Sequence, residues 1–241
     1  RIRITAQLID AAGEKHLWAE RYDRDLSDVF AIQDEIARAV AATVEGRVAA
    51  AGTEQLRRKP TTNWAAYDYF LQGRELVNRY QMAEAEPFLA RAIELDPAFV
   101  HAYAWQAIAL TGRYLSDRLL ETLDHALTAA ERALALDDND AWSHEAMGYV
   151  SLRRGRLDLA GLHFDRALSL NPNDVNIVGD RANWLMYAGR LDEALQGLDS
   201  ALQRDPYPPS WVWEVRGIVL FHMQRYEEAI AALRRQTGGG P

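Results

Sequence analysis

One pattern of small residues and prolines recurs along the chain at nearly fixed spacing. Each copy begins with Gly or Ala, has an alanine 12 positions later and, where the copy is complete, a proline 24 positions later. The copies are Gly73, Ala85, Leu89, Ala92 and Pro97; Gly148, Ala160, Phe164, Ala167 and Pro172; Ala182, Ala194, Leu198, Ala201 and Pro206; and Gly217, Ala229 and Leu233. Small residues let two antiparallel helices approach closely, and proline ends the second helix. The spacing therefore predicts stacked helical pairs.

A further unit between the first and second of these copies is longer than the others. Pro172 and Pro206 are 34 residues apart, whereas the unit from Val100 to Asp140 carries about seven extra residues and has Asp138 where proline is expected. The extra residues fall around 113–123. They either lengthen the join between the two helices of this unit or extend one of them.

The pattern resembles the tetratricopeptide repeat. The residues that carry the resemblance are Tyr69, Gly73, Ala85, Leu89, Ala92 and Pro97; Met147, Gly148, Ala160, Phe164, Ala167 and Pro172; and Trp213, Gly217, Leu220, Tyr226 and Ala229. The resemblance implies a mainly α fold, an α-α superhelix (solenoid) of about five repeats over residues 64–236. The expected repeats are about 66–99, 100–140, 141–174, 175–208 and 210–236.

The first 60 residues have a different character. Polar and apolar residues alternate over 1–10 and again over 16–22, with a turn at 11–14, which predicts a β-hairpin over 1–24. Apolar residues then recur at three and four positions, which predicts a long amphipathic helix over 25–59. A lone hairpin is marginal in water, so we expect it to dock on an upstream domain, on a second copy of the chain to give a homodimer, or on this helix.

This segment resembles the end of the TolB-like α/β domain that precedes tetratricopeptide repeats in bacterial multidomain proteins. The matching stretches are 3–10, 17–24 and 30–36. The resemblance implies that the chain is a fragment of a larger protein, whose upstream part is a class III adenylate cyclase or a winged-helix transcription regulator. Neither the paired metal-binding aspartates nor the purine-binding residues of the cyclase can be placed in this sequence.

Composition narrows the classes of function. The chain has 27 Lys plus Arg against 35 Asp plus Glu, a net charge of −8, and no cysteine. An acidic balance argues against a nucleic-acid partner, and no apolar run reaches the ~20 residues of a membrane-spanning helix. The absence of disulfides favours a cytoplasmic location.

Sequence motifs for catalysis or cofactor binding are absent. There is no P-loop, GxGxxG, GxSxG or HExxH motif, and the position four residues after His144 is Gly148 instead of a second ligand. The acidic run 137–140 lacks the glycine and terminal glutamate of a calcium loop. The six histidines are scattered singly. We therefore expect no catalytic, cofactor-binding or metal-binding residue.

What remains is a recognition surface. In tetratricopeptide proteins the first helices of successive repeats line a concave groove that holds a protein or peptide partner. Aromatic area with a few orienting polar groups suits such a surface. The resemblance puts these residues on the groove: Phe70, Arg74, Trp142, Glu145, Tyr149, Asn176, Asn183, Tyr187, Trp211, Glu214 and His222.

The sequence leaves two functions open. One is a non-catalytic protein interaction or self-association module of a bacterial signalling protein. The other is the regulatory C-terminal region of an adenylate cyclase. Phe70, Ala104 and Glu145 stand where members that clamp a peptide C-terminal carboxylate could place the first cation. The sequence therefore speaks against that specialised mode.

Overall fold

The structure is a computed structural model that divides into two compact units, residues 1–64 and 65–241. It describes the backbone of residues 2–10 and 15–24, and residues 61–204 and 208–236. In the first unit, strands β1 (Ile2–Asp10) and β2 (Lys15–Arg24) pair antiparallel, with a register irregularity between Leu8 and Ile9. The predicted turn at 11–14 and the predicted helix over 25–59 lie outside the described residues.

The described part of the repeat region contains ten helices in five consecutive pairs. They are α1 (Trp64–Asn78), α2 (Met82–Leu95), α3 (Val100–Asp117), α4 (Leu120–Leu136), α5 (Ala141–Arg153), α6 (Leu157–Leu170), α7 (Val175–Tyr187), α8 (Leu191–Arg204), α9 (Ser210–His222) and α10 (Tyr226–Gln236). The first helices of successive pairs also pack on one another, α3 on α5, α5 on α7 and α7 on α9. The predicted helical solenoid is confirmed for these residues. None of the described helices combines the length and apolarity needed to cross a membrane.

The recurring small residue has a clear packing role. A Cβ atom built on Gly73 would lie 2.7 Å from Cγ of Leu89, and one on Gly217 would lie 2.7 Å from Cγ of Leu233. These are the first and third positions of the sequence pattern. The two helices of a pair therefore approach each other through the missing side chain, and the larger residue fills the space.

The extra residues of the second pair extend its helices. Helix α3 has 18 residues and α4 has 17, against 15 and 14 in the first pair, and only Arg118 and Leu119 separate them. Arg118 takes a left-handed conformation, with φ of 56°, and its N–H donates to the carbonyl of Tyr114. The insertion thus extends both helices and leaves the join short.

The turns inside four of the pairs share one left-handed backbone position. Gly155 and Gly189 occupy it with φ of 73°, while Tyr80 and Gln224 occupy it with φ of 60° and 62°. Residues other than glycine rarely adopt this backbone conformation because their Cβ atom crowds the backbone. The turns of the first and last pairs therefore carry a strain that the glycine-containing turns avoid.

Candidate functional site

The first helices of the pairs line a cavity of about 700 Å³ in the helical unit. Helices α1, α3, α5, α7 and α9 all contribute side chains to it, and the second helices contribute Met82 alone among the lining residues. We call this cavity the groove. Its volume is within the range of pockets that hold drug-sized ligands.

Helical spacing explains which side chains reach the groove. On α5, Glu145, Tyr149 and Arg153 follow one another at four-residue intervals, so they share one face of the helix. On α7 the groove residues are spaced by four, three, three and one positions: Asn176, Asp180, Asn183, Met186 and Tyr187. Each first helix therefore presents one stripe to the groove.

Eight of the eleven residues placed on the groove from sequence line it in the structure. They are Glu145, Tyr149, Asn176, Asn183, Tyr187, Trp211, Glu214 and His222. Trp211 also lies across α7, because its Cη2 would be 2.5 Å from a Cβ built on Gly179. The absence of a side chain at Gly179 thus leaves room for the six-membered ring of this indole against α7.

The other three predicted residues do not line the groove. Phe70 is buried in the core, and the Arg74 guanidinium carbon lies 5.6 Å from the centre of its ring. Trp142 packs edge-on against His101, with ring centres 4.6 Å apart, and its Nε1 donates to Asp174 Oδ2 at 2.9 Å. The structure thus places Phe70 and Trp142 in packing between repeats, where buried apolar area and a satisfied indole N–H explain both residue types.

Two carboxyl groups lie on the floor of the groove. Glu145 is 1% exposed and Asp180 is 8% exposed. Burial raises the pKa of Glu145 well above its usual range, and the charges of Asp174, Asp180 and Asp140 raise it further. Burial also raises the pKa of Asp180, to about 7, although Arg153 acts in the opposite direction. The floor is thus acidic in composition, with ionisation that changes near neutral pH.

Several buried polar atoms in the groove have no hydrogen-bond partner among the described residues. They are Nε1 of Trp105, Oε2 of Glu145, Nε of Arg153 and Oδ1 of Asn176. Buried polar groups in folded proteins are nearly always paired, by protein or by ordered water. Residues of one groove that hold both unpaired donors and unpaired acceptors are suited to a ligand that carries both kinds of group.

Hydrogen bonds and ring contacts hold the side chains at the edge of the groove in place. The Arg153 guanidinium carbon lies 5.0 Å from the ring centre of Tyr149 and 5.8 Å from that of Tyr187, and Arg153 Nη1 donates to the Tyr187 hydroxyl at 3.2 Å. At the other side the Tyr80 hydroxyl donates to Glu214 Oε2 at 3.1 Å. This bond joins the first helical pair to the last.

Sequence reasoning missed four residues that shape the groove: Tyr80, Trp105, Arg153 and Asp180. A signal existed for two of them, because Arg153 continues the four-residue stripe from Tyr149 and Asp180 lies between Asn176 and Asn183 on the same face. Tyr80 had no such signal, since it lies in a turn and reaches α9 only through the stacking of the repeats.

Histidines that are single in the sequence form one pair in the structure. His144 Nδ1 and His163 Nδ1 lie 3.0 Å apart, which corrects the expectation that each histidine stands alone. In the part of the chain that the structure describes, no three His, Asp or Glu side chains gather as metal ligands.

The fold and the groove define a class: a solenoid of helical pairs with a concave binding surface. The tetratricopeptide repeat family model matches residues 121–175 and 180–240, so the repeats in these residues are tetratricopeptide repeats. Such repeats mediate protein–protein interactions, and their fold is a non-catalytic scaffold, so the helical unit is a domain without a catalytic fold.

Similar proteins include one bacterial relative and two solved structures. The chain is 32% identical over 166 residues to "Putative adenylate cyclase 3" of Rhizobium meliloti, a match that covers 66% of this chain and 28% of that protein. A chain of the Cut9–Hcn1 hetero-tetramer of the anaphase-promoting complex is similar in fold, with a TM-score of 0.55, 14% identity and coverage of 87% of this chain and 44% of that chain. Pseudomonas aeruginosa PilF gives a TM-score of 0.50, 18% identity and coverage of 73% and 77%. Both structures support the fold alone.

Proposed function

We propose that the helical unit is a non-catalytic interaction module that binds a peptide segment of a protein partner in the groove. The observation that carries this proposal is the groove itself, a cavity of about 700 Å³ that combines exposed aromatic area with buried polar atoms that lack partners among the described residues. Rigid aromatic side chains supply binding energy, and a few fixed polar groups supply orientation.

The parent protein belongs, in this proposal, to a bacterial cytoplasmic signalling system. Residues 1–24 would then be a hairpin of a TolB-like domain, residues 25–59 a linking helix and residues 64–236 the repeat domain. Support comes from the resemblance of residues 3–36 to that region and from the similarity to a bacterial relative. Self-association through the hairpin is a further part of the proposal, since among the described residues β1 and β2 pair only with each other, and an unpaired strand edge can pair with a second copy.

A second function is favoured by the similarity to the Rhizobium protein. The chain would be the C-terminal regulatory region of an adenylate cyclase, with catalysis elsewhere in the parent protein. Two measurements address it: cyclic AMP formation by the parent protein with and without the groove variant described below, and by this chain alone. A change in the first supports regulation through the groove. Cyclic AMP made by this chain alone would refute the assignment as a non-catalytic module.

The experiment for the primary function is peptide selection. A random-peptide library displayed on phage is selected on the immobilised chain, and the binders are measured against Tyr187→Ala and Tyr226→Ala. Tyr187 is 55% exposed and lines the groove, while Tyr226 is 53% exposed and lies outside it, 5.6 Å from the ring of Phe221. The two substitutions remove the same side chain at the same exposure.

We expect Tyr187→Ala to weaken the selected peptides by about 30-fold, which corresponds to roughly 2 kcal/mol at an interface hot spot. Tyr226→Ala should leave affinity unchanged. Equal losses in the two variants, or binders insensitive to both, would show that peptides attach elsewhere and would refute the groove as the binding surface. Circular dichroism of both variants checks that helicity is retained.

A further inference from the structure

The open polar atoms of the groove floor form a set with defined chemistry. Trp105 is 2% exposed and its Nε1–H can only donate, whereas Glu145 Oε2 and Asn176 Oδ1 act as acceptors when Glu145 is ionised. A buried donor or acceptor that is left unpaired has lost its hydrogen bonds to water without replacement, which is unfavourable. A ligand that completes all three must bring donors for two positions and an acceptor for the third.

The charges around the floor select the sign of that ligand. The charges of Asp174, Asp180 and Asp140 raise the pKa of Glu145, and no cation among the described residues lowers it, whereas Arg153 lowers the pKa of Asp180. Arg153 stacks on Tyr149 and Tyr187 and donates through Nη1 to the Tyr187 hydroxyl, while its Nε has no hydrogen-bond partner among the described residues. His101 Nε2 likewise lies 3.0 Å from Asp140 Oδ1.

Elsewhere on the groove the charges are mixed. Glu214 accepts from Tyr80 and from Gln236 Nε2, and the basic side chains Arg118 and His222 also line the groove. On the floor, Arg153 therefore acts on Asp180, while Glu145 has no cation of its own among the described residues.

We propose that the floor of the groove binds a lysine or arginine side chain of the partner peptide, with Glu145 and Asp180 as its carboxylate acceptors. The Asn176 amide oxygen accepts a further N–H of this side chain, and the Trp105 indole N–H donates to a carbonyl oxygen of the peptide backbone. This inference rests on the proposed function, because it names the chemistry of the partner that the groove takes.

The indole N–H of Trp105, which can only donate a hydrogen bond, favours a peptide over a free amine as the ligand. A polyamine offers N–H donors and positive charge to the carboxylates but has no oxygen to accept from the indole. A lysine or arginine within a peptide brings the cation and neighbouring carbonyl groups together. The same arrangement opposes binding of a peptide C-terminal carboxylate, which would be repelled by the floor.

Binding of a cation should also change the number of protons that the groove holds. A cation beside Glu145 and Asp180 stabilises their ionised forms, so binding lowers both pKa values and releases protons near pH 7. Affinity should therefore rise as pH rises from about 6 to 8. His222 also lines the groove, so the comparison with carboxyl variants is needed to assign the effect to Glu145 and Asp180.

The test uses the peptides selected on the full chain. We expect one position to be Lys or Arg in the binders, and its replacement by norleucine to weaken binding by about 30-fold, the loss expected when one partner of a buried charge pair is removed. The double variant Glu145→Gln with Asp180→Asn should cause a similar loss, and norleucine should then cost little more in this background. Glu131→Gln, at an exposed glutamate outside the groove, is the matched control and should bind as the unmodified chain does.

The outcomes separate the two proposals. Binders that depend on Tyr187 but carry no cation would overturn this inference and leave the proposed function intact, whereas the absence of Tyr187-dependent binders refutes both. Spermidine that competes as strongly as the peptide assigns the site to free polyamines and overturns the peptide source. Calorimetry of peptide binding to the unmodified chain, in buffers of different ionisation enthalpy, measures proton release without using any variant. Proton release at pH 7 supports the inference, and its absence refutes it.

Discussion

Replacing Asp180 by asparagine should stabilise the protein at neutral and alkaline pH. The pKa of Asp180 is raised from 3.8 to about 7 in the folded chain. Between these values the folded state holds a proton that the unfolded state has lost, so the free energy of unfolding falls as pH rises. One pKa unit is worth about 1.36 kcal/mol, so the loss from pH 5 to pH 8 is about 3 kcal/mol. Asparagine carries no charge, and the variant escapes this loss.

The assay is urea unfolding followed by circular dichroism at a series of pH values for both proteins. Other carboxyl groups and histidines contribute to each curve, but most of their contributions cancel in the difference between variant and unmodified chain. We expect this difference to grow by about 3 kcal/mol from pH 5 to pH 8 and to level off above Asp180's pKa. Repeating the pair in a Glu145→Gln background removes the neighbouring titration, and the step should persist there.

Two results would refute the reasoning. A difference that stays flat across this range means that Asp180 does not titrate near neutral pH. A variant that is less stable than the unmodified chain at pH 8 means that the ionised carboxylate makes a favourable interaction, with Arg153 as the candidate, that outweighs burial. Either outcome would also remove the electrostatic argument for a cation on the groove floor.

The remaining predictions concern stability and use the same unfolding assay. Gly73→Ala should lower the free energy of unfolding by about 1–3 kcal/mol, because the new Cβ would lie 2.7 Å from Cγ of the buried Leu89. Gly197→Ala should instead raise it by up to about 1 kcal/mol, because its Cβ would lie 3.7 Å from the nearest atom, Cγ1 of Val178, and alanine favours the helix. Equal effects at the two glycines would contradict the close-approach argument. Gln224→Gly should stabilise by about 1 kcal/mol by relieving a left-handed turn. Gly189→Ala, which creates the same strain in open space, should destabilise by a similar amount, and a loss at Gln224 would contradict the prediction.

The sequence predicts the repeat fold well because one local rule generates it. A small residue facing a larger one, as Gly73 faces Leu89, repeats wherever two helices pair, so spacing alone identifies the contact. The same helical geometry predicts most of the groove face, since Glu145 and Tyr149 follow at four-residue intervals. Residues at the start of a first helix are harder to place, as Trp142 shows, because a neighbouring repeat decides whether that position is covered.

The hydrogen bond between Tyr80 and Glu214 depends on the rotation between successive repeats, which no local sequence pattern contains. These residues are 134 positions apart, and their contact requires that five helical pairs stack with a fixed rotation. Small changes in each interface, such as the extension of α3 and α4, accumulate along the stack.

The ionisation of the carboxyl groups on the groove floor also depends on how the repeats stack. The raised pKa values of Glu145 and Asp180 come from burial between neighbouring repeats and from nearby carboxylates, of which Asp174 acts on both. A sequence shows that acids share a stripe, but only the stacked repeats remove them from water. A groove with such a floor costs stability at neutral pH, and a cationic ligand relieves that cost. Replacement of Glu145 and Asp180 by amides should therefore stabilise the free protein and weaken its complex, opposite effects that a purely structural role would not produce.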